Sequence, residues 1–174
     1  MAVGLLLVAA MIACRGFVAQ TPQSLHVTSS SITAGQIPPK FTCNGTGISP
    51  QLAWSAPPAA TRTLALLVTD PDAPGGTFVH WVLYDLPATQ RELPEQLPQQ
   101  NQLADGAHQG RNDFGQIGYG GPCPPGRSPH RYVFALYALN TPLNLPTGAT
   151  KAQVESAMQG HILARGELIA RYHQ

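Results

Sequence analysis

Two histidines occupy matching places in two distant loops that are rich in proline and glycine. The first loop covers residues 70–81 and presents His80, and the second loop covers residues 119–132 and presents His130. Proline fixes φ and glycine lets the backbone approach a ligand closely, so both loops can hold a side chain in place before a ligand arrives. Imidazole donates one hydrogen bond when neutral and two when protonated, which suits the oxygens of a phosphate or carboxylate. The pair therefore predicts a small polar pocket that binds an anion.

Other residues of the two loops complete this predicted pocket. Asp70 could accept a hydrogen bond from a histidine and so orient the donors that face a ligand. Tyr132 lies two positions after His130, and on a strand this spacing puts both side chains on one face. Gly120 and Gly121 could turn their backbone N–H groups toward an anion. We expect all of these groups to converge on one ligand.

An enzyme is the alternative hypothesis for the same residues. Two histidines and two aspartates could act as general acids and bases or bind a metal ion. Against catalysis, no recognisable nucleophile motif is present, and Ser128 belongs to a turn by its context. Against a metal, the candidate ligands lack the short spacing typical of metal sites. We therefore expect a binding protein with no cofactor, metal or catalytic residue.

Structural roles compete with functional ones at several positions. Asp72 suits a turn as well as a ligand site, and Arg131 is expected to pair with a buried carboxylate, for which Asp72 is the candidate. Tyr119 fits the core and the pocket wall equally well. A third hypothesis is therefore a structural or interaction protein whose loops only close the fold.

Short apolar segments of strand length lead into and out of the two loops. The segment at 63–69 is apolar almost throughout, as in a strand buried on both faces. A capping-box spacing at Thr150 and Gln153 begins one helix, which we place at about 151–163. Residues 85–105 show no periodicity and predict an irregular surface excursion. The predicted strands lie near 25–32, 52–54, 63–69, 78–84, 131–139 and 166–172.

Length and composition limit the classes of protein. The 174 residues suit one domain, and 17 prolines with 17 glycines favour a β-rich fold. Charged residues make up 11% and the formal net charge is +1, a balance that argues against a nucleic-acid-binding surface.

The amino terminus resembles an export signal. Residues 1–14 are apolar but too short to span a bilayer as a helix, as in the apolar region of a secretory signal. We therefore expect a leader at 1–20, a single domain at 21–174, and a periplasmic or extracellular location. Residues 11–14 loosely resemble a lipoprotein cleavage box in which Cys14 would be lipidated, although an ordinary signal cut before Thr21 is favoured.

Two cysteines, Cys43 and Cys123, remain once the leader is removed. In an exported protein an even number of cysteines favours a disulfide. Neither cysteine has the Cys-x-x-Cys spacing of a zinc or redox site. The alternative is two separate buried thiols, which would fit a cytoplasmic protein.

Motifs in the two loops match a known protein family. They are Asp70-Pro-Asp-Ala-Pro74, His80 ahead of an apolar strand, and the run from Gly121 to Tyr132 with its Pro-x-Pro-Pro and His-Arg-Tyr sequences. Here, and over roughly residues 24–172, the chain resembles the phosphatidylethanolamine-binding proteins, which include the Raf kinase inhibitor proteins. The segments similar to the bacterial branch are 41–45, 48–50 and 121–125.

The resemblance implies a fold, a ligand and a site. The fold is all-β dominated, an antiparallel β-sandwich with Greek-key connections and a short helix near the carboxyl terminus. The ligand is a small anionic or phosphate-bearing molecule, and the implied role is inhibition of a partner such as a kinase or protease. A homodimer is a further expectation. The implied ligand-binding residues are Asp70, Ala73, Pro74, His80, Gly121, Pro122, His130 and Tyr132.

Two departures from the animal pattern bear on the pocket. Cys123 is an extra residue inside the Gly-Pro-Pro run, so the proline that faces the ligand could be Pro122, Pro124 or Pro125. The carboxy-terminal helix that flanks the pocket in animal members has no counterpart in the matched pattern. We therefore expect a more open pocket here.

Overall fold

Strands dominate the structure because apolar and β-branched residues recur in short runs between proline- and glycine-rich turns. The structure, a computed structural model, describes residues 23–174, so the leader predicted at 1–20 lies outside the described residues. Within residues 23–174 the backbone forms nine strands, one α-helix and a single 3₁₀ turn at Pro39–Phe41. In chain order the elements are β1 (Gln23–Ser24), β2 (Val27–Thr28), β3 (Leu52–Trp54), β4 (Thr63–Asp70), β5 (Phe78–Pro87), β6 (Glu92–Leu93), β7 (His108–Gln109), β8 (His130–Leu139), α1 (Lys151–Met158) and β9 (Ile162–Tyr172).

The strands form two sheets. The larger sheet has the order β1-β9-β8-β4-β5-β7, and the smaller has the order β2-β3-β6. β4, β5 and β7 lie side by side, and β8 returns to pair with the other edge of β4, which is a Greek-key arrangement. The pairs between these strands are antiparallel except the short edge pair of β1 with β9. The expected antiparallel sandwich with one short helix is confirmed, with one parallel pair added at an edge.

The larger sheet is covered on both faces, as the apolar run at 63–69 predicts. Along β4, Leu66 and Val68 pack into the core between the two sheets, together with Leu52 of the smaller sheet. Leu67 points to the opposite face and packs with Val154 of α1. Because successive side chains alternate across a strand, two separate apolar layers hold this strand in register.

The single helix begins where the sequence predicts and ends earlier. Thr150 caps it: its Oγ1 accepts a hydrogen bond from the Gln153 N–H, while the Gln153 side chain accepts one from the Thr150 N–H. The helix ends at Met158 rather than near 163, because Gly160 takes a φ of +77° and turns the chain back toward the sheet. No helix within residues 23–174 is long and apolar enough to cross a membrane.

Two long strands extend beyond their predicted limits because neighbouring strands pair with them. β9 begins at Ile162, four residues before the predicted start, since Leu139 of β8 pairs with it there. β5 continues to Pro87, and Leu93 in β6 is fully buried. The prediction of an irregular surface segment over 85–105 is therefore wrong at both of these places.

Candidate functional site

A cavity of about 530 Å³ opens at the end of the larger sheet where β4 ends and β5 and β8 begin. Antiparallel pairing brings these ends together, since Asp70 at the end of β4 pairs with Phe78 at the start of β5. Thr69 of β4 pairs with Val133, close to the start of β8. The predicted site residues that line the cavity are Asp70, Ala73, Pro74, His80, His130 and Tyr132.

His130 and Asp70 form a buried pair at the base of this cavity. The Nδ1 atom of His130 lies 2.7 Å from Oδ2 of Asp70, and the two residues are only 7% and 3% exposed. The other carboxylate oxygen of Asp70 accepts a hydrogen bond of 2.9 Å from the Asp72 N–H, which fixes the carboxylate plane. An ionised carboxylate only accepts, so Nδ1 of His130 carries the proton that joins them. Its Nε2 atom has no hydrogen-bond partner in the described part of the chain.

His80 is held by the backbone of the second loop. Its Nδ1 atom lies 2.7 Å from the carbonyl oxygen of Gly120, and the Gly120 N–H donates to the His80 carbonyl in return. A carbonyl only accepts, so Nδ1 is the protonated nitrogen and Nε2 of the neutral ring is an acceptor. Burial lowers the pKa of His80, although the Gly120 carbonyl and the carboxylates of Asp70 and Asp113 oppose that shift. His80 is therefore neutral at neutral pH.

Tyr132 contributes a hydroxyl group that the described residues leave without a hydrogen-bond partner. The side chain is fully buried, and its ring packs edge to face on His80 with 5.2 Å between centroids. Burial raises the pKa of Tyr132, and the Asp70 carboxylate raises it further by its charge and as a nearby acceptor, although the hydroxyl makes no hydrogen bond of good geometry to it. The phenol is therefore a hydrogen-bond donor at any physiological pH. Buried polar groups normally have partners, so this hydroxyl is a candidate ligand contact.

Asp72 joins the first loop to the start of β8. It accepts hydrogen bonds from the backbone N–H, Nε and Nη2 of Arg131 at 2.9, 2.9 and 2.6 Å. The guanidinium holds the pKa of the Asp72 carboxyl far below its usual range. The expected Asp72–Arg131 pair is confirmed, although the two side chains are 30% and 49% exposed rather than buried. The pair ties together the loops that carry Asp70 and His130.

Two residues of the predicted set, Gly121 and Pro122, do not line the cavity. A Cβ atom on Gly121 would lie 2.9 Å from the carbonyl oxygen of Phe41, so this glycine lets the second loop pack against the turn that contains Cys43. Pro122 is buried, and its carbonyl accepts a hydrogen bond of 3.0 Å from the Cys43 N–H. The N–H group of Gly120 is also unavailable to a ligand, because it donates to the His80 carbonyl.

The residues that follow take the place predicted for Gly121 and Pro122. Of the three candidate prolines, Pro124 and Pro125 line the cavity and Pro122 does not. Cys123 also lines the cavity. The predicted pairing of Cys43 with Cys123 is present: their Sγ atoms lie at bonding distance and their Cα atoms 5.4 Å apart. Both cysteines are exposed, so the alternative of separate buried thiols is wrong. Tyr119 resolves as a buried core residue whose hydroxyl donates to the Phe41 carbonyl.

Sequence reasoning missed an aromatic part of the cavity. Phe78 and Phe114 both line it, and their rings meet edge to face with 4.8 Å between centroids. Asp113 also lines it and accepts a hydrogen bond from the Val79 N–H. The Asn-Asp-Phe-Gly sequence at 112–115 could have indicated this ring. It is typical of a turn, and an apolar ring inside a turn is exposed unless another group covers it.

The cavity thus combines a polar base with an apolar rim. At its base, two Nε2 atoms and one phenol O–H are available to a ligand, while both Nδ1 atoms and both carboxylate oxygens of Asp70 are engaged within the protein. Within residues 23–174, no group of three or more His, Cys, Asp or Glu side chains is arranged to hold a metal ion. Such an arrangement can bind and orient a small polar group, and the Asp70–His130 pair can hold a proton.

The chain matches a known protein family over most of its length. The family model for phosphatidylethanolamine-binding protein matches residues 28–173. A UPF0098 protein from Aquifex aeolicus is 47% identical over 151 residues, which are 85% of this chain and 88% of the relative. A UPF0098 protein from Methanothermobacter thermautotrophicus is 46% identical over 140 residues, which are 80% of this chain and 92% of the relative.

Solved structures agree with the sequence relatives. Escherichia coli YbcL, described as a new member of the mammalian PEBP family, superposes with a TM-score of 0.80 at 36% identity. A phosphatidylethanolamine-binding protein homologue from Chlamydia trachomatis superposes with a TM-score of 0.79 at 39% identity. Each comparison covers 87% of this chain and 99% of the other. The resemblance seen in the two loops therefore extends over the whole fold, and the chain belongs to the phosphatidylethanolamine-binding protein family, with bacterial members among its relatives.

Proposed function

We propose that this protein binds a small anion, carried on a phosphate or carboxylate group, at the base of the cavity. The observation that supports the proposal most is the arrangement of His80 and His130. Each ring has its Nδ1 atom engaged by a fixed acceptor of the protein, which leaves Nε2 for a ligand. The buried hydroxyl of Tyr132 adds a third polar atom that lacks a partner in the described residues. A ligand with several oxygen atoms would satisfy all three if a proton lies between each Nε2 atom and the oxygen that it faces.

Binding of an anion in this way requires the uptake of a proton. With Nδ1 protonated, neutral His80 presents only an acceptor, and the Asp70 carboxylate already places a negative charge nearby. A fully ionised phosphate would therefore meet acceptors unless a proton arrives with it, either on the ligand or on a histidine. Since the second pKa of a phosphate monoester is about 6, the ligand can carry this proton at slightly acidic to neutral pH.

The pH dependence of affinity follows from the same groups. Burial lowers the pKa of His80 in the free protein, and a bound anion would raise it again by stabilising the imidazolium. Affinity should therefore increase as pH falls through the range between these two pKa values, and level off below the lower one. An affinity that stays constant from pH 5 to 8 would contradict proton uptake by the site.

The family's name suggests the first probe, because a phosphatidylethanolamine headgroup carries one phosphate. We would titrate the protein with O-phosphoethanolamine and with inorganic phosphate by calorimetry at pH 6. The key variant is His130→Asn, whose side-chain N–H₂ can still donate to Asp70 while Nε2 is lost. We expect its affinity for both probes to fall about tenfold or more, as for loss of a hydrogen bond to a charged group.

His26→Asn is the matched control, because His26 is exposed and lies outside the cavity. The control should bind both probes like the parent protein, and the thermal midpoints of all three proteins should agree within a few degrees. Binding to His130→Asn that equals the control would show that His130 is not a ligand contact. Absence of binding by the parent protein would overturn the proposed function.

The enzyme alternative has one observation in its favour, the buried Asp70–His130 pair, which could serve as a general base. Within residues 23–174, neither histidine hydrogen bonds to a serine, threonine or cysteine side chain that could act as a nucleophile. Release of phosphate from phosphate monoesters, abolished by His130→Asn and not by His26→Asn, would replace the binding proposal with this alternative.

Several expectations from the sequence stay predictions. A modulating role on a kinase or protease rests on the family resemblance alone, and so does the identity of any protein partner. Export, the cleavage site before Thr21, lipidation at Cys14 and a homodimer also stay predictions. Inhibition assays with the purified domain would test the first, and the mass of the mature protein would test cleavage and lipidation.

A further inference from the structure

We propose that Phe114 makes the cavity selective for anions that carry an aromatic ring beside the acidic group. This inference rests on the proposed function, because it names the class of anion that the same cavity takes. The first observation is that Phe114, which lines the cavity, is 45% exposed. Among residues 23–174, only Ile169 is another large apolar residue with comparable exposure.

The ring of Phe114 is part of an aromatic cluster rather than an isolated surface side chain. It meets Phe78 edge to face at 4.8 Å and His80 edge to face at 5.5 Å. His80 in turn meets Tyr132 edge to face at 5.2 Å. The cluster therefore runs from the polar base of the cavity to its rim, and Phe114 is its most exposed member. A ligand bound at the histidines would extend along these rings.

The loop that carries Phe114 is built to hold the ring in this place. Asn112 is 2% exposed, and its Oδ1 accepts 3.0 Å hydrogen bonds from the N–H groups of Phe114 and Gln116. Its Nδ2 atom donates to the Gly118 carbonyl, which closes the turn from the other side. A Cβ atom on Gly120 would lie 2.4 Å from the Phe114 ring, so the glycine leaves room for it. A ring that is already positioned loses little conformational freedom when a ligand binds.

The size of the cavity supports a ligand larger than an inorganic anion. Cavities of roughly 300–1,000 Å³ hold molecules of drug size, and this one has about 530 Å³. At the base of the cavity, the polar atoms available to a ligand belong to His80, His130 and Tyr132. The rest of the lining is mainly apolar, with the aromatic rings and the prolines of both loops, and its polar side chains are Thr77 and Asp113. The acidic group of the ligand should therefore be followed directly by an apolar part.

An aromatic ring fits this apolar part better than an alkyl chain. Edge-to-face packing matches the positive edge of one ring to the negative face of another and stabilises a pair beyond the area it buries. Phe78 and Phe114 already pack in this way, so a ligand ring could extend the same pattern. A butyl group of similar area would gain the burial alone.

The test compares three probes on the parent protein by calorimetry: inorganic phosphate, butyl phosphate and phenyl phosphate. We expect phenyl phosphate to bind about tenfold more tightly than butyl phosphate, and inorganic phosphate to bind most weakly. Phe114→Ala should weaken phenyl phosphate about tenfold and inorganic phosphate by less than about twofold. Phe114→Leu, which keeps an apolar side chain, should retain the affinity for butyl phosphate and lose the preference for phenyl phosphate.

Ile169→Ala is the matched control, since Ile169 is 50% exposed and lies on β9 outside the cavity. It should leave all three affinities unchanged. Equal affinities of the parent protein for phenyl and butyl phosphate would overturn this inference alone, and so would an unchanged preference in Phe114→Ala. Failure of the parent protein to bind any of the three probes would overturn the proposed function and this inference together.

Discussion

The two loops that form the cavity are held in place by different interactions. The first loop is fixed by the side chains of two aspartates: Asp70 bonds to His130, and Asp72 bonds to Arg131. The second loop is fixed by a covalent bond, Cys43–Cys123, and by backbone packed against backbone at Gly121. The partly exposed Asp72–Arg131 pair weakens with salt and with protonation of its carboxylate, whereas a disulfide and close packing respond to neither. One side of the site should therefore be sensitive to salt and acid, and the other to reducing agents.

The largest expected effect is loss of the disulfide. It closes a loop with a sequence separation of 80, and in the chain-entropy model its removal lowers the free energy of unfolding by about 4.5 kcal/mol. We expect this decrease in the double variant Cys43→Ser, Cys123→Ser, measured by urea unfolding. The parent protein in reducing agent should match the double variant, and the double variant itself should not respond to the reducing agent. Equal stability of oxidised and reduced parent protein would show that the second loop does not depend on this bond.

A smaller effect should follow from Gly121→Ala. The added Cβ would lie 2.9 Å from the Phe41 carbonyl and 3.0 Å from Cα of Thr42, and both neighbours are backbone atoms that cannot rotate away. Overpacking of this kind lowers the free energy of unfolding by about 1–3 kcal/mol.

Gly75→Ala in the first loop is the matched control for this substitution. A Cβ on Gly75 would meet no atom within 4 Å, so its free energy of unfolding should stay close to that of the parent protein. If both alanine variants are equally stable, close packing does not distinguish the second loop from the first.

The smallest expected effect is that of Asp72→Asn. Arg131 holds the pKa of Asp72 in the folded protein below its value in the unfolded chain. The pair therefore stabilises the folded protein at pH values above the pKa of Asp72 in the unfolded chain. This stabilisation is lost as the pH falls through the pKa of Asp72 in the folded protein. Because both side chains are partly exposed, the decrease in stability at pH 7 should be small.

Measurements at high salt and at low pH show whether charge causes this small difference in stability. At 1 M salt, and also at low pH, the stability of Asp72→Asn should approach that of the parent protein, because screening or protonation already removes the interaction there. A difference that persists unchanged at 1 M salt would mean that hydrogen-bond geometry, rather than charge, holds the first loop.

Local sequence was enough to predict much of the site. Strand alternation predicted that His130 and Tyr132 share a face, and both line the cavity. The capping-box spacing placed the start of α1 correctly, and the apolar run at 63–69 indicated a strand buried on both faces. Each of these features depends on residues within a few positions of one another, so a local pattern carries it.

The features that the sequence alone did not reveal depend on contacts between distant segments. Gly121 and Pro122 face the turn at residues 41–43 rather than the cavity, and only the packing of that turn decides this. The end of α1 was set by the chain returning to pair with β8, because propensity is weaker than the hydrogen bonds and burial that a sheet offers. Phe114 reaches the cavity through a turn that the side chain of Asn112 stabilises.

For the chemistry of the site, sequence and tertiary structure decided different things. The sequence by itself determined which groups are present: two histidines, an aspartate and a tyrosine, on segments whose alternation and stiffness point them to one place. Only the tertiary structure decided their protonation and hydrogen bonding. The Gly120 carbonyl, 40 residues away, determines which nitrogen of His80 carries the proton, and burial under the aromatic rings lowers its pKa. Both effects require three-dimensional proximity, because hydrogen bonds and desolvation act over a few ångströms regardless of distance along the chain.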